Sequence, residues 1–512
     1  MHVDGLYRTL ARWRRTHLDP LFRVGTSKGV PAKKGMGVRT ANSLVLYGAV
    51  FVGGAVATFM LVLAILTPSS RTSGSHRLPL VAAQRANERT VRRSHGLIFS
   101  RQSGSMPSEG APLLCLYDRN TERKREPVRF CSHLVYGFVS PSDLNNGSSG
   151  GSSQAGPVAD AERRIRQMTQ LKQLYPTLRV LVGVGGPKVD SKSFSDELIT
   201  EGRREHLAQR SVRWLRAHRL DGMHIQWMYP GEGNGRPSDR ENFPKLLAQI
   251  RNAFRASALI ARWHLTLYLP HEDSRVDRGY ELRNALRAVH YAVMGSFGFV
   301  EPGRAEVASP LYNRPPIGDR SPINSIHELV VLLLDRGAPS SKLLLAVTAS
   351  GYSYALARAD TDVRAPLRGG DGRGQAGPFT LTPGRLAYFE ICYNVYRNSW
   401  ARVFDAATSC PYAYRGQEWV TYDDADSVRA KVAFLRNKTL GGAALMDVAA
   451  DDYMGMCGPR NVLARTLRSA LKHYSPPVPS SSSSQAKKAA AAQHQKHYPK
   501  VARQMFGKRR FG

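Results

Sequence analysis

The chain has 512 residues, 42% of them hydrophobic, and a formal charge of +33. That apolar content excludes a wholly disordered chain and suffices for one large core with extensions. Segments 1–42, 67–110 and 475–512 carry +7, +5 and +8, leaving +13 on residues 111–474; a basic surface favours anionic partners, and with no paired Cys/His zinc spacing and no RNP-type aromatic run, specific nucleic-acid recognition is not expected.

Residues 1–43 read as a basic cytosolic tail. Residues 44–66, LVLYGAVFVGGAVATFMLVLAIL, contain no charge. At ~1.5 Å per residue such a run crosses a hydrocarbon core of ~30 Å. A cleaved signal has a shorter apolar stretch and less before it, so an uncleaved anchor is predicted. Lys28, Lys33, Lys34 and Arg39 precede the span, against Arg71, Arg77 and Arg85 after it. This bias keeps the N-terminus in the cytosol. The expectation is a single-pass type II protein of the Golgi or plasma membrane, its C-terminal part luminal or extracellular. The sequons at Asn146 and Asn437 fall on that side. Residues 67–110, rich in Ser and Arg without an apolar period, read as a flexible stem.

From residue 111 short apolar runs alternate with helix-like stretches. Strands are predicted at 113–116, 130–139, 178–184, 221–228, 263–269, 291–297, 342–349 and 442–448. Helices are predicted at 161–175, 203–218, 324–336 and 427–436. The alternation calls for a parallel sheet covered on both faces. Eight units in residues 111–474 suit a TIM (β/α)8 barrel, with an α+β insertion at about 351–420, after strand seven. An open doubly wound sheet satisfies the same pattern. Residues 475–512 are low in complexity and read as a disordered basic tail. The five cysteines, Cys115, Cys131, Cys392, Cys410 and Cys457, form no CxxC pair, so no zinc site is expected.

Several colinear stretches resemble glycoside hydrolase family 18, the chitinases and chitinase-like lectins. They are Cys131-Ser-His-Leu-Val-Tyr-Gly-Phe138, Val182-Gly-Val-Gly-Gly186, Leu220-Asp-Gly-Met-His-Ile-Gln-Trp-Met-Tyr-Pro-Gly231, Gly337-Ala-Pro with Lys342-Leu-Leu-Leu, Tyr388-Phe-Glu-Ile-Cys392, Trp419-Val-Thr-Tyr-Asp-Asp424, and Gly441-Gly with Asp451-Asp452 and Cys457-Gly458. The resemblance implies bridges Cys115–Cys131 and Cys392–Cys457, in keeping with an oxidising compartment. It also implies a signature Asp-x-x-Asp-x-Asp-x-Glu on strand four, whose Glu protonates the glycosidic oxygen while the substrate's N-acetyl group attacks. The four signature positions are Asp221, His224, Gln226 and Met228. Alternation along the strand puts His224, Gln226 and Met228 on one face, toward the lumen, and Met223, Ile225 and Trp227 on the other.

A thioether has no proton to give, and Gln226 offers no negative charge. No catalytic residue is therefore assigned. Other family positions depart as well: Ser296 and Phe297 replace a Tyr-Asp pair, Ser350 stands for a Tyr, and Met446 for a stacking Trp. The candidate ligand-binding residues are Phe138, Gln226, Tyr229, Met294 and Tyr352. Cofactor and metal are not expected, since His224 has no second ligand at suitable spacing. The resulting expectation is a non-catalytic chitinase-like membrane protein that binds chitin or another N-acetylglucosamine-type glycan, its basic segments attracting anionic glycans or lipids. Two alternatives compete with it: an active hydrolase with a relocated acid, for which Asp221 and Asp447 survive, and a polyanion- or protein-binding scaffold.

Overall fold

The computed structural model describes residues 110–476 apart from 119–126, 146–156, 258–262, 300–303, 314–323, 360–364, 366 and 370–371. The basic tail, the apolar span, the stem up to residue 109, the C-terminal tail beyond Pro476, and Asn146 lie outside the described residues. Among the described residues no helix is long and apolar enough to cross a membrane.

The elements run β1 (Leu113–Asp118), β2 (His133–Val139), α1 (Pro157–Gln170), β3 (Arg179–Gly185), α2 (Ser191–Leu198), α3 (Glu201–Ala217), β4 (Gly222–Gln226), α4 (Asp239–Ser257), β5 (His264–Leu269), α5 (Asp273–Gly279), α6 (Leu282–Ala288), β6 (Tyr291–Met294), α7 (Ile326–Asp335) and β7 (Leu343–Thr348). After these come β8 (Ser350–Ala355), β9 (Arg385–Ala387), α8 (Tyr388–Arg397), β10 (Ala401–Asp405), β11 (Cys410–Arg415), β12 (Glu418–Thr421), α9 (Ala425–Asn437), β13 (Gly442–Met446) and α10 (Val462–Leu471). Eight parallel strands close in the order β1-β13-β7-β6-β5-β4-β3-β2. The open-sheet alternative is thereby set aside. Strands β8 to β12 form a separate antiparallel sheet, ordered β10-β11-β12-β8-β9, which with α8 is the α+β insertion between the seventh and eighth barrel strands.

Alternation on the barrel strands sorts their side chains into two layers. Leu114, Leu116, Val135, Leu181, Tyr268, Val293, Leu344, Ala346, Ala444 and Met446 cluster together in the lumen, with Phe138, Met228, Tyr291 and Phe297 packed against them. Their strand neighbours, such as Leu113, Leu134, Val182, Ile225, Leu267 and Leu445, join the helices in a second cluster around the barrel. The predicted elements recur with shifted ends. Strand β4 stops at Gln226 rather than residue 228, because the Trp227 carbonyl accepts from the Tyr280 hydroxyl at 2.6 Å instead of from a neighbouring strand. The Trp227 ring also stacks on Phe194, centroids 5.0 Å apart.

Helix α4 carries no predicted counterpart. Its apolar residues Phe243, Leu246, Leu247, Ile250 and Phe254 are buried at helical spacing, and Pro244 sits near its start without ending it. Cys115–Cys131 and Cys392–Cys457 are disulfide-bonded, each with Cα atoms 5.8 Å apart, and Cys410 is a buried thiol. Burial pushes that thiol up to about 12, which keeps it protonated and inert.

Candidate functional site at the barrel mouth

Asp221 lies at the entry of β4, on the closed end of the barrel. Its carboxylate accepts from Lys172 Nζ and from the Val180 backbone N–H, both at 2.8 Å. It therefore fixes the base of the barrel, far from the opposite end where barrel active sites form. This removes Asp221 from the list of relocated acids.

Further up the same strand, His224 is 1% exposed. Its Nδ1 is hydrogen-bonded to Thr266 Oγ1 at 2.9 Å, and its Nε2 has no partner. Burial alone pushes this imidazole down to about 3, so it is neutral at physiological pH. Gln226, 6% exposed, donates from Nε2 to Met228 Sδ at 3.2 Å, while its Oε1 has no partner. Met228 itself is half-buried and packs against the lumen cluster. An amide that spends a donor on a sulfur, with a carbonyl left over, makes a weakly polar floor rather than an acid–base pair.

Around this floor the mouth is lined by aromatic rings paired with arginines. Arg275 lies over Tyr229, 3.9 Å from the ring centroid, and Arg385 lies over Tyr352 at 3.7 Å. Each is close enough for a cation–π contact. Arg275 also pairs with Glu272, and with Glu232 at 3.4 Å. Arg278 reaches the other oxygen of Glu232 at 2.9 Å. Glu232, four residues after position 228, and Glu272 are thus committed to arginines. His271 leans on Phe299, centroids 4.7 Å apart. Ser296 donates to the Ala346 carbonyl at 2.6 Å and accepts from Ser309 through its own carbonyl at 2.8 Å, so it serves the backbone. Met446 is only 7% exposed.

The candidate ligand residues separate on this geometry. Phe138, Gln226, Tyr229 and Tyr352 stand at the lumen or its rim. The Phe138 ring covers the β3 glycines: a Cβ on Gly186, whose φ is +87°, would come within 2.5 Å of it. Met294 is fully buried and packs in the outer cluster, because alternation on β6 turns Val293 into the lumen. As it stands Met294 offers a ligand no surface. Asp447 follows Met446 in a left-handed turn with φ 55° and is half-buried.

The arginine partners of Tyr229 and Tyr352 carry no local sequence signal: Arg275 comes from α5, and Arg385 stands opposite Tyr352 across the β8–β9 pairing. One trio of possible metal ligands occurs among the described residues: Cys392, Asp452 and Cys457. Its two sulfurs are consumed in the disulfide. Asp452 accepts from the backbone N–H groups of Gly455, Met456 and Cys457 at 2.8–2.9 Å. This is a loop clamp and not a vacant cation site.

The family model described as "Glycosyl hydrolases family 18" matches residues 113–451. The chain is 31% identical over 384 residues to "Chitotriosidase-1" of Mus musculus, covering 70% of this chain and 78% of that one. It is 30% identical over 369 residues to "Endochitinase" of Manduca sexta; that match spans 69% of this chain but only 64% of the relative's length. Among solved structures, human YKL-39, described as a pseudo-chitinase with retained chitooligosaccharide binding properties, superposes with a TM-score of 0.59 at 27% identity over 70% of this chain and 99% of that one.

Proposed function

The chain belongs to glycosyl hydrolases family 18, and on that premise we propose that it is a non-catalytic, membrane-anchored member that holds a chitin-type oligosaccharide at the barrel mouth. One observation carries the reading. At the position where the family signature has its proton donor, Met228 turns a thioether into the lumen and accepts a hydrogen bond from Gln226 at 3.2 Å. General acid catalysis contributes roughly 10²–10⁴-fold, and the charge stabilisation beside it goes with the acid. Glu232 and Glu272 are tied to Arg275 and Arg278, which argues against a substitute. A sugar could still pack its apolar face on Tyr229 and Tyr352 and hydrogen-bond the free Gln226 carbonyl, as the relationship to YKL-39 encourages.

The test uses the full chain in detergent with N-acetylglucosamine oligomers. No product should accumulate between pH 4 and pH 8, while calorimetry should show saturable binding that survives high salt. Turnover abolished by Gln226→Ala would overturn the non-catalytic reading, and binding lost at high salt would reduce the sugar contact to charge attraction.

The anchor rests on the uncharged span 44–66 and its basic flank. In sealed microsomes the barrel should resist added protease. The exposed Asn437, at the end of α9 in an Asn-Lys-Thr sequon, should carry a glycan.

A further inference from the structure

On the flank of the barrel, away from the mouth, α4 and α6 enclose a cleft of about 410 Å³. Lys245, Arg251 and Arg255 line it from α4 and Arg287 from α6, with Glu241 and Glu281 the only acids in the lining. None of the four cations pairs with a carboxylate among the described residues. Lys245 reaches the Asn242 side-chain oxygen at 3.2 Å, and Arg287 that of Asn284 at 3.4 Å. Arg251 donates to His290 Nδ1 at 2.7 Å, and its buried Nε has no acceptor among the described residues.

Stability does not account for this grouping. Arg251 and Arg255 are like charges one helical turn apart, an arrangement that costs a few tenths of a kcal/mol. Their mutual repulsion adds to burial in lowering the Arg251 pKa. Complementing the helix dipole would explain cations in the last turn, but Lys245 sits in the second turn of α4. From Lys245 to Arg255 the charges run along one helix face for about 15 Å at ~1.5 Å per residue. That is longer than a single phosphate needs and suits a linear polyanion.

We propose that the cleft between α4 and α6 is a second binding site, separate from the sugar-facing mouth, for a sulfated polysaccharide chain. The choice of carbohydrate over nucleic acid follows from the two disulfides, which belong to an oxidising compartment where nucleic acid is not the resident polyanion. Sulfate oxygens would accept from the guanidinium groups of Arg255 and Arg287, Lys245 would hold the far end as a point charge, and Arg251, held against His290, would add its charge to the wall.

The test is binding of a fluorescein-labelled heparin octasaccharide to the full chain at physiological ionic strength. Lys245→Gln/Arg255→Gln/Arg287→Gln should weaken it about tenfold and flatten its dependence on salt. Lys188→Gln/Arg213→Gln/Lys472→Gln removes the same charge from exposed sites elsewhere and should leave affinity within about twofold of wild type, because screened distant charges contribute little. Equal effects from both triples, or none from the cleft triple, would overturn the proposal. Equally tight binding of single-stranded DNA of matched charge would do so too. Unchanged thermal midpoints separate loss of binding from loss of fold. Chitooligosaccharide binding at the mouth, measured on the cleft triple, should be unaffected, so the two sites can fail independently.

Discussion

If the barrel is non-catalytic as proposed, rewriting the signature positions as His224→Asp/Gln226→Asp/Met228→Glu asks whether restoring the carboxylates alone suffices for hydrolysis. Residue 224 is 1% exposed and residue 226 is 6% exposed, and among the described residues the side-chain hydrogen-bond partner at 224 is the Thr266 hydroxyl. Alternate residues on a strand lie about 7 Å apart, so two adjacent charge pairs at an effective dielectric near 20 repel by roughly 2 kcal/mol each. Desolvation adds several kcal/mol for each ionised group. The triple variant should therefore be roughly 5 kcal/mol or more less stable at pH 7, and should recover stability as acid neutralises the new carboxyls. Differential scanning fluorimetry reads this as a drop of roughly 10 °C in Tm. Release of umbelliferone from a chitobioside should stay within about tenfold of the wild-type background, since a positioned acid is worth ~10²–10⁴ only when its surroundings hold the substrate. Ser296 and Met446 are committed to backbone and core here. A rise of more than about 100-fold would refute this reasoning.

Two predictions concern the frame. Lys431 and Asp423 form an ion pair with both side chains fully buried, and Lys431 Nζ also donates to Ser309 Oγ at 2.6 Å. Lys431→Met should cost about 3–5 kcal/mol by stranding Asp423, while Lys431→Met/Asp423→Leu should recover most of that; denaturant midpoints of the two variants decide. At the closed end of the lumen, His133 Nε2 lies 3.0 Å from His264 Nδ1, and His264 stacks on His290 at 4.3 Å. Arg179, Arg251, Lys342 and Arg468 surround them. Burial, aided by these cations, holds the three imidazoles down at about 3, 2 and 4 respectively. These folded values lie below the unfolded 6.5, so the unfolded chain takes up the protons first. Stability should fall as pH drops from about 6.5 toward 4, by up to roughly 1.4 kcal/mol per pH unit for each imidazole. Urea midpoints at pH 7 and pH 5 should differ, and the difference should shrink in His133→Gln/His290→Gln; an unaltered slope would refute the assignment.

The barrel was readable because its strands are buried on both faces, so stretches such as residues 178–184 appear as near-continuous apolar runs. The two-layer sorting of β4 followed from alternation alone, with Met223, Ile225 and Trp227 under the helices and Met228 against the lumen cluster. On β6 the same rule turns Val293 inward and Met294 outward. Helix α4 was hidden by Pro244 and by charges between its buried positions, although its apolar spacing is helical throughout. In the insertion, β10 runs from exposed Ala401 and Arg402 through half-buried Val403 and Phe404 to buried Asp405, and so lacks an alternating period. The arginines over Tyr229 and Tyr352, the cluster of His133, His264 and His290 and the flanking cleft arise from tertiary meetings of segments distant in sequence, which no local pattern encodes.

The Cys392–Cys457 bridge joins α8 of the insertion to the loop after the last barrel strand across a sequence separation of 65, closing a ring that carries β10 to β13 and α9. A single protease cut anywhere within that ring leaves both halves covalently attached and still hydrogen-bonded into the barrel. A chain clipped at a loop between Cys392 and Cys457 therefore keeps its barrel in one covalent piece, and only clipping combined with reduction would part it.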